Sequence, residues 1–211
     1  MINLKSNEIL NLSQDGIFYS SVGSIKSKCR TFVNLLIKDD TLRVSFECKD
    51  DEFIKFNNLH KNNEELFKQE VFEIFLSSTK NKAFKYLEIE INPNNAVYLS
   101  LIINPSSVGG VSKKNRLLDQ HVNDLKHHVK RDSSSWTGYI DIPMQLIRKF
   151  TYNSSEFLKA NFYRTVLNKK PIEENWVGDV SNTDYLCFNP TNSPSKPNFH
   201  IINSFVLFNL K

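Results

Sequence analysis

The sequence has no stretch approaching the roughly 18 consecutive apolar residues that a membrane-spanning helix needs. A membrane partner is therefore not expected. Its opening, Met1-Ile2-Asn3-Leu4-Lys5-Ser6-Asn7-Glu8, has neither the basic start nor the apolar run of an export signal. As it stands the chain is expected in the cytoplasm, or in the periplasm or outside the cell if a leader has been removed. Cysteine is scarce: Cys29, Cys48 and Cys187 cannot all pair, and none sits in a CxxC spacing. Charge of one sign is scarce too. The net charge of +4 comes from 27 basic and 23 acidic residues spread along the chain, which excludes the clustered Lys and Arg of a nucleic-acid binder. There is no Gly-x-Ser-x-Gly nucleophile turn, and Val108-Gly109-Gly110-Val111 is too short for a phosphate-binding loop. No internal repeat, linker or long amphipathic helix breaks the chain, so residues 1–211 are expected to form one domain with its core in about 15–210.

What is abundant is aromatic residues and alternation. Sixteen Phe and seven Tyr suit strands better than helices. Leu42, Val44, Phe46 and Cys48 share one face of a strand, opposite Arg43, Ser45 and Glu47. Thr31 to Ile37 precedes it across Lys38-Asp39-Asp40-Thr41, which reads as a hairpin. Further strands are expected at Glu70 to Leu76, Phe84 to Ile91, Ala96 to Ile103, Trp136 to Ile142, Ala160 to Leu167, Asp184 to Phe188 and Ile201 to Leu210. Asn92-Pro93-Asn94-Asn95 is a turn, and Asn189 to His200 with its three prolines is a loop. Val122 to Arg131 fits helix or strand, and Met144 to Phe150 fits one or two helical turns. About ten short strands and little helical periodicity predict an all-β protein. The expected form is an antiparallel, jelly-roll-like sandwich with only short helical turns.

Several strands pair an apolar face with a polar one. Tyr86, Glu88 and Glu90 oppose Leu87, Ile89 and Ile91; Glu73 lies between Val71 and Phe75; Asn161, Tyr163 and Thr165 oppose Phe162. Alternation by itself is equally compatible with a half-solvated sheet of no special function.

The stretch Leu66-Phe67-Lys68-Gln69-Glu70-Val71-Phe72-Glu73-Ile74-Phe75-Leu76 resembles a strand of the family 9 carbohydrate-binding modules that reads roughly Trp-x-x-Asp-x-Val-Glu-Ile-Phe. Tyr86 to Pro93, Trp136 to Pro143, Ala160 to Arg164, Cys187 to Thr191 and Pro197 to His200 match later signatures of that group in the same order. The resemblance runs from about Asp15 to Leu210. It implies a β-sandwich that grips sugar between two aromatic side chains, without catalysis. The two sandwiching tryptophans fall on Phe67 and Phe188. Glu73 falls on an acidic residue, Asn161 on an asparagine, and Tyr163 where a glutamine stands. Glu88 and Glu90 replace basic and amide residues, so two acceptor-only carboxylates stand in for donors. The expected site is thus Phe67, Glu73, Glu88, Asn161, Tyr163 and Phe188, with Glu90 and Trp176 as secondary candidates. The expected partner is an oligo- or polysaccharide and the expected state a monomer. No cofactor is expected; a structural calcium ion stays open as an alternative, although no motif supports it.

Other chemistries have candidate residues as well. His121, Asp124 and His128 would align on a helix, with His127 beside them, but nothing completes a metal coordination set. Glu73, Glu88 and Glu90 could supply the two carboxylates of a glycosidase, although charged strand residues normally face solvent. A protein-interaction module that has lost sugar binding is the third possibility. Of the two tryptophans, Trp136 reads as a packing residue, whereas Trp176 in its loop could line a slot or pin the loop. Cys48 reads as a buried inert thiol, His200 as a structural hydrogen-bonder, and Arg164 as the partner of a carboxylate in or at the edge of the sandwich.

Overall fold

A computed structural model describes residues 1–23, 25–106 and 114–211, so the Val108–Val111 stretch lies outside the described residues. Two sheets form a sandwich and share one long strand. Strand β4 (Lys26–Lys38) pairs through its first part with β3 (Ile17–Ser20), and from Thr31 onward with β5 (Thr41–Cys48). Beyond β5 the smaller sheet continues to β11 (Trp136–Pro143) and β10 (Lys126–Arg131), and β2 (Leu10–Asn11) lies along β4. The larger sheet runs from β3 through β13 (Thr183–Cys187), β12 (Phe157–Leu167), β6 (Val71–Ser77), β7 (Lys85–Ile91) and β8 (Val97–Ile103) to β9 (Lys114–Leu117). β14 (Val206–Leu210) also pairs with β12. All these ladders are antiparallel; the exception is β1 (Ile2–Leu4), which joins β14 in parallel. The fold is the all-β sandwich that the alternation predicts. Its one α-helix among the described residues is the short α1 (Met144–Phe150).

Local chemistry explains the elements. Asp39 and Asp40 both take positive φ, 49° and 54°, the pattern of a type I′ hairpin turn whose twist matches its strands. At the β7–β8 turn the Asn92 side-chain oxygen accepts the amides of Asn94 and Ala96 at 3.1 and 3.0 Å, while Asn95 sits at φ 63°. The core forms where the inner faces meet. Phe46 of β5 stacks on Phe72 of β6 with ring centres 4.6 Å apart, and Trp136 meets Phe46 edge-on at 5.1 Å. Trp136 is fully buried, as a packing residue should be.

Three expectations need correction. Ile201 to Leu210 is not one strand: Ile202–Ser204 is a 3-10 turn and only Val206–Leu210 extends. Val122 to Arg131 splits into a 3-10 turn, Asp119–Asp124, and strand β10. The first thirty residues, read without strands, hold β1, β2 and β3, which are two to four residues long and too short to show a period. The loop 189–205 folds over the outer face of the larger sheet. There Phe199, Ile202 and Phe205 pack with Phe75, Tyr86 and Tyr163 in a second apolar cluster.

Candidate functional site

Because side chains alternate along strands, one face of β6 and β7 feeds the core and the other carries Glu73, Glu88 and Glu90. The ladder puts Glu73 directly opposite Glu90, and Glu88 opposite Phe75 one step along. One oxygen from each of the three carboxylates lies within 4.8 Å of the other two, the only such grouping of potential cation ligands among the described residues. The usual expectation that strand carboxylates face solvent fails here, since the three are 3, 6 and 0% exposed. The covering loop and the Leu66–Lys68 turn stand around Glu73 and Glu88. The carboxylates are held locally: Thr165 Oγ1 donates to Glu73 at 3.4 Å, Ser100 Oγ donates to Glu88 at 3.1 Å, and His200 Nε2 lies 3.7 Å from Glu88.

Above them opens a cleft of about 660 Å³. Glu73, Glu88 and Thr165 line its floor, while Phe67 and Tyr185 stand in its walls. Phe67 sits on the turn Leu66–Lys68 and is 40% exposed, whereas its neighbour Leu66 is fully buried and anchors that turn. Its ring meets Tyr98 edge-on at 6.0 Å and leaves the rest of its surface open beside the buried carboxylates. The opposite wall is built by residues 197–200 of the covering loop. Tyr163 fixes that wall: its hydroxyl donates to the Phe199 carbonyl at 3.0 Å and its ring stacks on Phe199 at 4.5 Å. His200 is tied through Nδ1 to the Tyr86 hydroxyl at 2.7 Å, the structural role expected of it. Burial pushes both tyrosine hydroxyls well above their ordinary range, so they stay protonated.

The structure therefore brings Phe67, Glu73 and Glu88 to one cleft, with Glu90 in the carboxylate group behind them. It sets the remaining candidates elsewhere. Asn161 is fully buried beneath the loop; its amide donates to Asn189 O and Ser204 Oγ, and its oxygen accepts the amide of Asn189. Phe188 turns to the inner face, against Phe18 and Phe162 at 6.1 and 6.0 Å. Trp176 pins its loop by donating from Nε1 to Phe56 O at 2.7 Å. Tyr185, Phe199 and the Pro197–His200 wall do not stand out as a site in the sequence. The alternation of Asp184 to Phe188 puts Tyr185 on the same face as Cys187, which is the available signal.

The histidine and cysteine constellations do not assemble. His121 Nδ1 bonds Asp124 Oδ2 at 2.7 Å, but His127 pairs with Asn95 and its neighbour His128 points to the other face of β10. Burial raises the Cys187 thiol to about 12 and the Cys29 thiol to about 11, and pushes Cys48 higher still, so none is an activated nucleophile. Arg164 meets its expected partners inside the sandwich, with Nη2 2.9 Å from Asp51 Oδ2 and 3.3 Å from Glu70 Oε1.

Comparison with solved structures settles the architecture. A candidate carbohydrate-binding protein from Bacteroides uniformis superposes with a TM-score of 0.65 at 12% identity, covering 97% of this chain and 86% of its own. A family 9 carbohydrate-binding module from Caldicellulosiruptor kristjanssonii, solved with glucose, superposes at 0.54 with 15% identity over 100% of this chain and 94% of its own. The same module solved with cellotriose gives 0.54, 14% identity and coverage of 100% and 93%. The fold is that of the family 9 carbohydrate-binding modules. At these identities the likeness speaks for the fold alone. In sequence, an "Extracellular protein" of Arthroderma benhamiae is 29% identical over 193 residues, 89% of this chain and 82% of the relative. No family model matches the chain. None of the described helices is long and apolar enough to cross a membrane.

Proposed function

We propose that the chain binds carbohydrate, without chemical turnover, in the cleft between Phe67 and the Pro197–His200 wall. The observation that carries this reading is the open ring of Phe67 beside buried carboxylates, within a fold shared by a module solved with glucose and cellotriose. A pyranose has an apolar C–H face and a hydroxyl rim. An aromatic ring takes the first, and carboxylate oxygens accept hydrogen bonds from the hydroxyls of the second. Tyr185 supplies a second ring in the place where Phe188 was expected to act, and Asn161 and Tyr163 contribute by holding the loop that forms the wall. The fungal relative bears an extracellular name, and an extracellular setting suits a polysaccharide ligand; of the two settings the sequence left open, this is the one we adopt.

A glycan array followed by titration calorimetry of its hits tests the reading. Phe67→Ala should weaken binding by about 1–3 kcal/mol, the loss typical of a contact aromatic. The fold should persist, because the ring is largely outside the core. A parent that binds no glycan, or a folded Phe67→Ala that binds as the parent does, would overturn the cleft as a sugar site.

One observation favours a second reading, glycan hydrolysis: the Glu73 and Glu88 carboxylates stand side by side in the cleft. Hydrolases place their two carboxyl groups on either side of the scissile bond, about 5–9.5 Å apart. Here the pair projects from neighbouring strands of one sheet face, which suits hydroxyl recognition better. Chromogenic glycosides should pass unchanged. Turnover lost in Glu73→Gln would instead establish the enzyme.

A further inference from the structure

Resting on the sugar-binding reading, we infer that the ligand is an extended saccharide chain and that a second cavity beyond Tyr185 holds its continuation. This cavity, about 1150 Å³, shares Tyr185 and Pro197 with the cleft as common walls. The two therefore form one path across the strands of the larger sheet. It runs from Glu88 on β7 over Glu73 on β6, Thr165 on β12 and Tyr185 on β13, then to Ser20 on β3 and to Lys26 and Lys28 on β4. Five strand spacings of about 4.8 Å make this path roughly 24 Å long, several times the width of one sugar ring. Each cavity alone already exceeds the roughly 300 Å³ at which small-molecule sites begin.

The chemistry of the second cavity continues that of the first. Ile25 and Val180 are each 70% exposed and offer apolar contact for the C–H faces of sugars, as does the Tyr185 ring between the cavities. Asp179 and Asp184 offer acceptors and Lys196 a donor for hydroxyls. The half-buried Tyr185 is steadied edge-on by Phe199 at 6.1 Å, so the junction between the cavities is a fixed ring.

Titration calorimetry with neutral gluco-, manno- and xylo-oligosaccharides of one to six residues tests the inference. In the series that binds, affinity should climb with length beyond the monosaccharide by about tenfold or more. Val180→Arg, which fills the second cavity, and Lys196→Ala should return the longer oligosaccharides toward the affinity of the monosaccharide. Both should leave monosaccharide binding as it is. If the monosaccharide binds as tightly as its longest oligomer, or if both variants bind every length as the parent does, the extended path is wrong while the cleft stands. If no sugar of any length binds, the underlying reading falls with it.

Discussion

Arg164 Nη2 lies 2.9 Å from Asp51 Oδ2, and neither side chain has any exposed surface. The same guanidinium nitrogen reaches Glu70, which also accepts the Trp136 indole N–H at 3.1 Å. Nη1 contacts the carbonyls of Arg30 and Lys49 at 3.3 Å. One cation thus ties β4, the end of β5, β6, β11 and β12 together at one end of the sandwich. Arg164→Met should destabilise the protein by about 3–5 kcal/mol, since it strands two buried carboxyl groups without their cation. Urea denaturation measures this, and a loss under 1 kcal/mol would show that the network is dispensable.

Two carboxyl groups against one guanidinium leave an excess negative charge in that network if both ionise. Burial, and then Asp51, hold the Glu70 carboxyl well above the ordinary carboxylate range, with Arg164 and Trp136 opposing. A folded-state value raised above the unfolded one means that the folded chain keeps a proton which the unfolded chain gives up near 4.5. The associated stability is fully present below about pH 4.5 and is lost as pH rises from there toward the folded-state value, by at most about 1.4 kcal/mol per unit. Glu70→Gln imitates the protonated side chain. Its stability relative to the parent should therefore improve steadily from pH 4 to pH 8. Parallel curves for the two proteins would show that Glu70 is ionised throughout.

Asn161 touches no part of the cleft but closes three hydrogen bonds to Asn189 and Ser204 in the covering loop. Asn161→Ala should cost about 1–3 kcal/mol from buried groups left unpaired, and should speed proteolytic cleavage within 189–205. Sugar affinity should fall as well, through a loosened wall. Unchanged cleavage alongside weaker binding would mean that Asn161 meets the ligand itself.

The two phenylalanines expected to face each other should separate experimentally. Phe188 is packed against Phe18 and Phe162 in the core, whereas Phe67 is open. Phe188→Ala should lower the melting temperature with little effect on affinity at a temperature where it stays folded. Phe67→Ala should do the reverse. Equal binding losses in two stable variants would place Phe188 at the ligand.

Thiol chemistry gives a further check. Cys48 and Cys187 are buried, and Cys29 is half-buried with its thiol held up at about 11. An aromatic disulfide reagent at pH 8 should label the native protein slowly, at Cys29 first, and all three cysteines only on unfolding. Rapid native labelling at Cys187 would show that the covering loop opens readily.

Wherever local physics decides the outcome, the sequence by itself determined it. The period-two alternation of Leu42 to Cys48 and of Phe84 to Ile91 needs only a pleated strand with one apolar face, and it told the sheets and their inner sides. Asp39-Asp40 and Asn92 to Asn95 carry their turns in their own side chains and backbone preferences. That Arg164 pairs with a carboxylate was legible in the sequence; that the pair lies inside the sandwich was decided by the fold. The tertiary structure alone decided what covers the outer face of the larger sheet. Glu73, Glu88 and Glu90 look like solvated strand residues until the Leu66–Lys68 turn and the loop 189–205 are set around them, with His200 of that loop 3.7 Å from Glu88 across more than a hundred residues of sequence. That same closure turns Asn161 and Tyr163 from exposed polar positions into loop anchors and makes a wall of Pro197–His200. Alternation sets Phe188, one residue past β13, on the face opposite Tyr185 and Cys187, but which of the two faces is the inner one is set by cross-strand packing over the whole sheet.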